Sequence, residues 1–332
     1  MSVDIIKIYD CSNSNERPAH NDENLGPFEN DIIRDLKKYS MDYMFQFVPN
    51  ISDAQVVITN DVFPKDIISN NNLLKIKRMD GTYWQNSMQY RNNILNESAL
   101  AADLVIFISK FSEKSCKIPL KNSKVVLNCA NTYIFYKNRK YRINNKFSWV
   151  AIATNWNREE KRFLAIKAFS KMISKSEFLY IIGKNDCKIN SPNVINLGYI
   201  SDDIERAKIL NQMDAGVNFS YKDAAPKGVC QMLACGLPVL YTDSGGVQEL
   251  VKAYGVGTSV FEFDNSDGNF VPELLETDIY YSYMDFRHNY NKYFNYMNTV
   301  SINYRHLLLQ YFKSIRLEFM MKNRQTYAGD IF

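Results

Sequence analysis

The sequence is poor in the residues that build disulfide frameworks and metal centres. Its 332 residues include six cysteines, none in a CxxC pair, and three histidines, none of them beside a cysteine pair. A disulfide-stapled domain and a structural zinc site are therefore excluded. We expect reduced, mostly packed thiols, as in a cytoplasmic protein.

Long apolar runs and dense basic runs are missing as well. No stretch approaches the ~20 apolar residues that a membrane-spanning helix needs, and the chain opens on a strand-like IIKIYD rather than on a leader peptide. The 40 Lys and Arg against 36 Asp and Glu give a net charge of only +4. This balance does not indicate nucleic-acid binding. We expect a cytoplasmic protein for which peripheral contact with a membrane stays open.

What is present is an alternation of short apolar runs with amphipathic segments. In the first half the pattern predicts helices from about Phe28 and over residues 87–101. It predicts strands at residues 5–10, 43–48, 54–61, 73–81, 103–109 and 124–128. Strands that alternate with helices are typical of a parallel, doubly wound sheet.

The same pattern restarts after a polar stretch at residues 136–146, which is typical of a linker. Predicted helices run from Arg158 to about Ile173, from about Lys227 and from Val247, and Asp202 and Glu205 are spaced like a capping box. Predicted strands lie at residues 148–154, 177–183, 194–200, 215–220 and 238–243. The length suits two such α/β domains, whose ligands would bind beyond the carboxyl ends of the strands.

From about Thr277 the chain becomes helical and rich in aromatic residues. A platform on which nucleic-acid bases stack is one interpretation. Because basic residues are sparse there, a pair of helices that pack on the core is the favoured one.

Residues 223–251, DAAPKGVCQMLACGLPVLYTDSGGVQELV, carry most of the chemical information. A strand ends near Ser220, and a loop with Pro226 and Gly228 then leads into a helix. Backbone N–H groups at such a helix start suit a diphosphate, and the small-residue turn at residues 244–246 lies at the same sheet edge. Glycine-rich turns alone are weak evidence, since most serve tight backbone geometry.

The run LACGLPVLYTDSGGVQELV (233–251) resembles the signature of glycosyltransferase group 1 (family 4). The resemblance implies the GT-B fold, in which two Rossmann-like doubly wound domains face a central cleft and C-terminal helices follow. Residues 1–140 would form the acceptor domain, joined by a helix at 305–332, and residues 141–304 the donor domain. The implied activity moves a sugar from a UDP- or GDP-sugar to an acceptor hydroxyl with retention of configuration. The acceptor would be a carbohydrate or a lipid-linked or protein-linked molecule, in glycan or glycoconjugate synthesis.

The family carries a Glu, seven residues and a second Glu just before this run. Asp223 and Gln231 occupy the two positions here. In the family the first acid contacts the transferred sugar and the second binds the ribose. The resemblance therefore assigns Asp223 a catalytic role and Gln231 a donor-binding role, although neither is the family's usual residue.

Other stretches resemble the family's donor site. Residues 153–169 correspond to the segment that grips the diphosphate, which assigns this role to Lys161 and to either Arg158 or Arg162. The predicted donor set is completed by Gly198 and Tyr199 near the base, and by Pro226, Lys227, Gly228, Val229, Gly245 and Gly246. The chain has no Asp-x-Asp metal motif. Since Lys161 and an Arg would neutralise the diphosphate, we expect neither a metal nor another cofactor.

Asp80 is a second candidate catalytic carboxylate. It follows a predicted strand within RMDGTYW (78–84) and precedes Gly81, so it would lie at a strand tip that faces the cleft. A simple turn role for Asp-Gly explains it equally well. The loop at residues 24–27 and His20 are weaker candidates for a position near the cleft.

Two other functions compete with this interpretation. Asp223 and Gln231 are compatible with a catalytically weakened relative that binds a nucleotide sugar or acts as a scaffold. A nicotinamide-dependent oxidoreductase shares the α/β pattern, but the chain lacks the GxGxxG fingerprint after an early strand.

Overall fold

A computed structural model describes residues 5–12, 31–83, 88–138, 146–261 and 270–329. The strands are β1 (Ile6–Asp10), β2 (Phe45–Phe47), β3 (Val56–Thr59), β4 (Leu74–Met79), β5 (Leu104–Phe107), β6 (Ser123–Val125), β7 (Ser148–Asn155), β8 (Phe178–Lys184), β9 (Val194–Gly198), β10 (Ala215–Asn218), β11 (Val239–Thr242) and β12 (Gly257–Val260). The α-helices are α1 (Asp31–Tyr39), α2 (Lys65–Ser69), α3 (Gln89–Ala101), α4 (Lys110–Ser115), α5 (Phe163–Met172), α6 (Asp203–Leu210), α7 (Lys227–Ala234), α8 (Val247–Tyr254), α9 (Glu276–Met297) and α10 (Tyr304–Gly329).

The chain divides into two compact units. The first comprises the described residues of 1–126 and of Arg305–Phe332, and the second those of Leu127–Tyr304. Each unit is built on one six-stranded sheet in which every strand pair is parallel. The predicted fold, two doubly wound α/β units of the GT-B kind, is confirmed.

The first sheet has the strand order β2-β1-β3-β4-β5-β6. Helices cover both faces of such a sheet, which explains why β3 and β5 are completely buried and, apart from Thr59, apolar. Strand β4 is different, because it buries the cationic side chains of Lys75, Lys77 and Arg78 along with its apolar ones.

Helix α10 belongs, from Arg305 on, to the first unit and packs on its sheet. The Phe312 ring stacks on Phe45 of β2 and on Tyr43, with 4.8 Å between ring centroids in both pairs. Tyr311, also buried, accepts a hydrogen bond from Nε of Arg78 at 3.2 Å. Helix α10 therefore contributes side chains to the core of the first unit.

The second sheet has the order β12-β11-β10-β7-β8-β9. Numbered within the unit, this is the Rossmann order 3-2-1-4-5-6 read from the other edge. The strand order reverses between β7 and β10, which pair directly through Trp149 and Ala215. Ligands in such sheets bind at the carboxyl ends of the two strands that flank this switch point.

The aromatic helix α9 packs on the second sheet. Its residues Ile279, Tyr283 and Phe286 enter the core around Trp149, whose indole Nε1 donates to buried Glu177 at 2.9 Å. The prediction that these aromatic residues serve the core is confirmed for this face of α9. Other aromatic side chains of α9, such as Tyr281, remain exposed.

The largest difference from the predicted elements follows β7. A continuous helix from Arg158 was predicted, but a 3₁₀ turn spans Glu159–Lys161 and Arg162 adopts a left-handed backbone with φ 50°. Helix α5 therefore begins only at Phe163. Helices α7 and α8 begin at the predicted residues, and Asp202 caps α6 by accepting from the Ile204 amide at 2.8 Å.

Short elements with little pattern escaped prediction, notably α2, α4 and β12. The predicted helix entry at Phe28, the loop at residues 24–27, His20 and most of the linker lie outside the described residues. The six cysteines are free, and all but Cys187 are buried. None of the helices within the described ranges combines the length and apolar character needed to cross a membrane.

Candidate functional site

The predicted donor residues of the second unit meet at one edge of its sheet. Because all six strands are parallel, the segments that follow their carboxyl ends lie along the same edge. These segments are the turn after β7 (Arg158, Lys161), the end of β9 (Gly198, Tyr199), the loop after β10 with the start of α7 (Asp223–Gln231) and the turn after β11 (Gly245, Gly246).

An ion pair between Lys161 and Asp223 occupies the switch point. The Lys161 ammonium lies 2.5 Å from Oδ2 of Asp223, and the two side chains are only 14% and 17% exposed. The residues are 62 positions apart in sequence, and each follows one of the two central strands, β7 and β10. The sequence predicted that both residues would contact the donor, but it did not predict their contact with each other.

Three further contacts tie the turn after β7 to the loop after β10. The Tyr221 amide donates to the carbonyl of Glu160 at 2.8 Å. The guanidinium of Arg162 donates to the carbonyl of Phe219 at 3.4 Å and lies 4.9 Å from the centre of the Tyr221 ring. Lys161 and Asp223 are therefore held on two loops that support each other.

These contacts distinguish Arg158 from Arg162, the two arginines between which the sequence did not decide for the diphosphate role. Arg162 is buried and committed to the loop after β10. Arg158 is about half exposed, and its guanidinium pairs with the buried carboxylate of Glu160. Of the two, Arg158 has the guanidinium that a ligand at this edge can reach.

The glycine turn after β11 supports Asp223 from the other side. The Gly246 amide donates to the Asp223 carbonyl at 2.8 Å. Gly245 has φ +70°, and a Cβ atom at this position would lie 2.8 Å from the Asp223 nitrogen and overlap its carbonyl oxygen. Ser244 adds a bond from the Lys222 amide to its Oγ, at 2.9 Å. The sequence predicted a phosphate role for this turn and missed its support of Asp223.

Helix α7 begins beside β7 and close to the ion pair. Pro226 precedes its first residue and offers no side-chain cap, while its carbonyl accepts from the Val229 amide at 3.0 Å. A Cβ atom on Gly228 would lie 3.1 Å from Cβ of Ile152, so glycine lets the first turn approach β7 closely. This helix start concentrates N–H dipoles at the switch point, where they favour an anion.

Asn128 is a loop residue that sequence reasoning missed. Its buried side-chain amide donates to the carbonyl of Ala225 at 3.2 Å, just before the start of α7. An isolated asparagine has no pattern that would reveal such a role.

Gln231 lies one turn inside α7 and is buried. Within the described part of the chain, no hydrogen bond involves its side-chain amide. A neutral amide tolerates this burial far better than an unpaired carboxylate would. The position is therefore largely buried, and its amide keeps a donor and an acceptor for a ligand.

Gly198 and Tyr199 lie at the end of β9. Gly198 has φ +71°, with open space where a side chain would project. The Tyr199 ring is half exposed, and the ammonium of Lys184, the last residue of β8, lies 5.6 Å from its centre. An exposed ring at this edge is a surface on which a flat ligand group can stack.

Asp80 lies in the first unit, directly after β4. Its carboxylate is 2.5 Å from Nη1 of Arg78, and the exposed fractions are 59% for Asp80 and 3% for Arg78. Burial alone would lower the pKa of the Arg78 guanidinium, but Asp80 and Tyr311 raise it above its ordinary value. Asp80 thus has a permanent cationic partner and an exposed face.

Lys77, on the opposite face of β4, is fully buried. Its ammonium donates to the carbonyl of Asp61. Burial lowers the pKa of the Lys77 ammonium to about 8, although Asp61 and Asp80 act in the opposite direction. The sequence alone does not reveal the burial of Lys77, because nothing in LLKIKRMDG shows which way a lysine points.

Residues 147–272 match the family Glycosyl transferases group 1. The match begins just before β7, ends after β12 and contains the four segments at the carboxyl ends of β7, β9, β10 and β11, whereas Asn128 lies before it. Residues 147–272 are a glycosyltransferase group 1 domain.

A curated relative agrees with this assignment over a shorter stretch. The chain is 39% identical over 70 residues to the Escherichia coli (strain K12) protein named "Putative colanic acid biosynthesis glycosyl transferase WcaC". The match covers 21% of this chain and 17% of the relative, so it spans about a sixth of that protein.

Solved structures share the fold over most of the chain. Sucrose-phosphate synthase from Thermosynechococcus elongatus aligns with a TM-score of 0.62 and 15% identity, over 81% of this chain and 74% of the other. A glycosyltransferase from Rickettsia africae gives 0.55 and 16%, over 87% of both chains. Anabaena HepE, solved with UDP and glucose, gives 0.53 and 12%, over 90% and 80%.

No group of three or more His, Cys, Asp or Glu side chains that could hold a metal ion occurs among the residues the structure describes. The expectation of a metal-free reaction stays a prediction.

Proposed function

We propose that the protein transfers a sugar from a UDP- or GDP-sugar to an acceptor hydroxyl with retention of configuration. The observation that carries the proposal is the meeting of Lys161, Asp223 and the start of α7 at the switch point of a glycosyltransferase group 1 domain. Cations, a carboxylate and helix N–H groups at one point suit an anionic donor that carries a hydroxylated sugar.

The diphosphate would be bound by Lys161, by the half-exposed Arg158 and by the backbone N–H groups of Lys227 and Gly228 that open α7, just before Val229, whose amide bonds to Pro226. When the bond between the sugar's anomeric carbon and the diphosphate oxygen breaks, negative charge grows on the diphosphate. Fixed cations and dipoles around that oxygen stabilise the charge without reorganisation, which lowers the barrier. This arrangement would let the reaction run without a metal.

The rest of the donor would extend along the same sheet edge. Asp223 would accept hydrogen bonds from the sugar hydroxyls, Gln231 from a ribose hydroxyl, and Tyr199 would stack on the base. The Gly245–Gly246 turn would hold Asp223 in place through its backbone. Asp80 would bind the acceptor, and the acceptor hydroxyl proton would pass to the departing diphosphate oxygen as the new glycosidic bond forms. A carbohydrate or a lipid-linked or protein-linked acceptor fits this proposal.

Donor turnover by the purified chain tests the proposal. Panels of UDP- and GDP-sugars, with and without simple sugar acceptors, would be followed by nucleotide release, and product configuration by NMR. We expect one donor to raise the thermal midpoint through mass action and to be turned over in EDTA. Lys161→Ala should weaken binding of the matching nucleoside diphosphate by about 1.5–3 kcal/mol, as for a lost hydrogen bond to a charged group. Failure of every donor to bind would contradict the proposal.

A catalytically weakened, donor-binding relative is the second candidate. It is favoured by the neutral Gln231 at the ribose position and by the capture of the Asp223 carboxylate by Lys161. Calorimetric binding of a nucleotide sugar without any hydrolysis or transfer would support this candidate over the enzyme.

A further inference from the structure

We infer that Asp223 serves as the counter-ion of Lys161 in the empty site. A donor diphosphate must displace the Asp223 carboxylate from Lys161, and this displacement releases the carboxylate to bind the sugar. The inference rests on the proposed function and concerns the order of events in the same site. It assigns Asp223 an effect on diphosphate affinity that a sugar contact alone would not have.

Lys161 and Asp223 are in direct and largely shielded contact. The charged atoms are 2.5 Å apart and both side chains are more than four-fifths shielded. In such surroundings an ion pair is stronger than one in bulk water. Both loops are anchored independently of the pair, through Glu160–Tyr221 on one side and Gly246–Asp223 on the other. Neither backbone has to move when the side chains separate.

The second candidate cation has an internal partner as well. The Arg158 guanidinium pairs with Glu160, whose carboxylate is buried. Each cation placed to meet a diphosphate is thus neutralised by a carboxylate of the protein. The pairs spare the empty site an uncompensated, partly buried positive charge, which is costly in a poorly hydrated place.

A bound diphosphate changes this balance at Lys161. If Asp223 stayed in place, its carboxylate would lie beside the phosphate oxygens, and like charges at that distance repel. If Lys161 turns to the phosphate, Oδ2 of Asp223 loses its cation and becomes available to hydroxyl groups, while Oδ1 keeps its bond from the Ala225 amide at 3.3 Å. A sugar without a diphosphate does not trigger this exchange, so the pair couples recognition of the two halves of the donor.

Calorimetry with UDP, GDP and ADP tests the exchange. The variants are Asp223→Asn, Lys161→Gln, the double variant and Asp243→Asn as a control. Asp243 is an exposed carboxylate at the end of β11, on the same sheet edge, held by Gln248 rather than by a cation. Asp223→Ala provides a second neutral variant if the amide perturbs folding, and thermal midpoints check every variant.

Asp223→Asn should tighten binding of the preferred nucleoside diphosphate about tenfold, the factor that corresponds to about 1.4 kcal/mol. Asp243→Asn should change it less than about twofold, because an exposed charge is well screened. In the Lys161→Gln background the gain should vanish, since no ion pair is left to break. A nucleoside diphosphate that binds only after Asp223→Asn would also support the exchange.

Unchanged or weaker binding by Asp223→Asn, with normal binding by the parent, overturns the inference and leaves the proposed function intact. A gain that persists in the Lys161→Gln background also overturns it, because the effect would then be general electrostatics. Absence of binding in the parent and in every variant overturns the proposed function together with the inference.

Discussion

Each unit holds an aspartate beyond the carboxyl end of a strand, 2.5 Å from a basic side chain, but the two pairs differ in which partner is shielded. In the first unit Arg78 is 3% exposed and Asp80 59%. In the second unit Lys161 and Asp223 are shielded to nearly the same degree, 14% and 17% exposed. Arg78 is also held by Tyr311, whereas the described contacts of the Lys161 ammonium are with Asp223 alone.

Two ion pairs with the same distance between their charged atoms can therefore have different roles. A buried guanidinium with two partners cannot be taken over by a ligand, so Asp80 keeps its charge and offers its exposed face. Two equally accessible partners can be separated, so a competing anion can take Lys161. The first pair fits a fixed carboxylate, and the second fits an exchangeable one.

The largest loss of stability is expected at the glycine turn that supports the backbone of Asp223. Gly245→Ala adds a methyl group that overlaps the Asp223 carbonyl at a left-handed position. We expect a loss of about 3–4 kcal/mol in the free energy of unfolding, from strain and overlap together. Gly198→Ala is the matched control, with nearly the same φ and open space around it, and should lose only about 1 kcal/mol. Equal losses in urea unfolding would mean that the approach to Asp223 does not matter.

The next effect concerns the buried cations of the first unit and depends on pH. The pKa of Lys77 falls from 10.5 to about 8 on folding. Between these values the unfolded chain keeps a proton that the folded chain has released, so this group makes unfolding less favourable as pH rises. The free energy of unfolding gains about 3 kcal/mol in total from this titration. Below pH 8 the gain is absent, because Lys77 is charged in both the folded and the unfolded chain.

Lys77→Met tests this by removing the titration. The difference in the free energy of unfolding between Lys77→Met and the parent should shrink by about 3 kcal/mol from pH 8 to above pH 10. Other groups titrate in both proteins and largely cancel in the difference. A constant difference across the series would show that Lys77 is not held in a desolvated place.

These contrasts mark the limit of what the sequence could predict. Periodic apolar runs predicted both sheets, and α7 and α8 begin where predicted, because strands buried on both faces have unmistakable patterns. The resemblance at residues 233–251 lies within the stretch that matches the glycosyltransferase group 1 family, and the donor role of its residues stays a prediction. The left-handed turn at Arg162 was missed, since Arg-Glu-Glu-Lys-Arg is equally suited to a helix. The ion pair was missed because it joins side chains from two loops, and its length depends on tertiary packing alone.

A smaller loss of stability is expected when the contacts of Arg78 and of Lys161 are removed, and its size should differ between the two cations. Tyr311→Phe removes only the hydroxyl that accepts from Arg78 and should lower the free energy of unfolding by about 1.5 kcal/mol, as for a hydrogen bond to a charged group. Lys161→Gln removes the cation of the second pair, but the glutamine amide can still donate to Asp223, so this change should lower it by less than about 1 kcal/mol. Chemical denaturation of both variants measures the two losses. The reverse order would mean that the second pair is the structural one.

The smallest effect is expected at Gln231. Gln231→Glu places a carboxylate, a stronger acceptor than an amide, at the predicted ribose position. We expect binding of the preferred nucleoside diphosphate to tighten about fivefold at pH 8, equivalent to about 1 kcal/mol. The gain should fade toward pH 5, because burial favours the protonated acid. Calorimetry with the same nucleotide lacking both ribose hydroxyls is the control, and there the gain should disappear. A gain of equal size with that analogue would place the new carboxylate near some other part of the nucleotide, and the assignment of residue 231 to the ribose would be wrong.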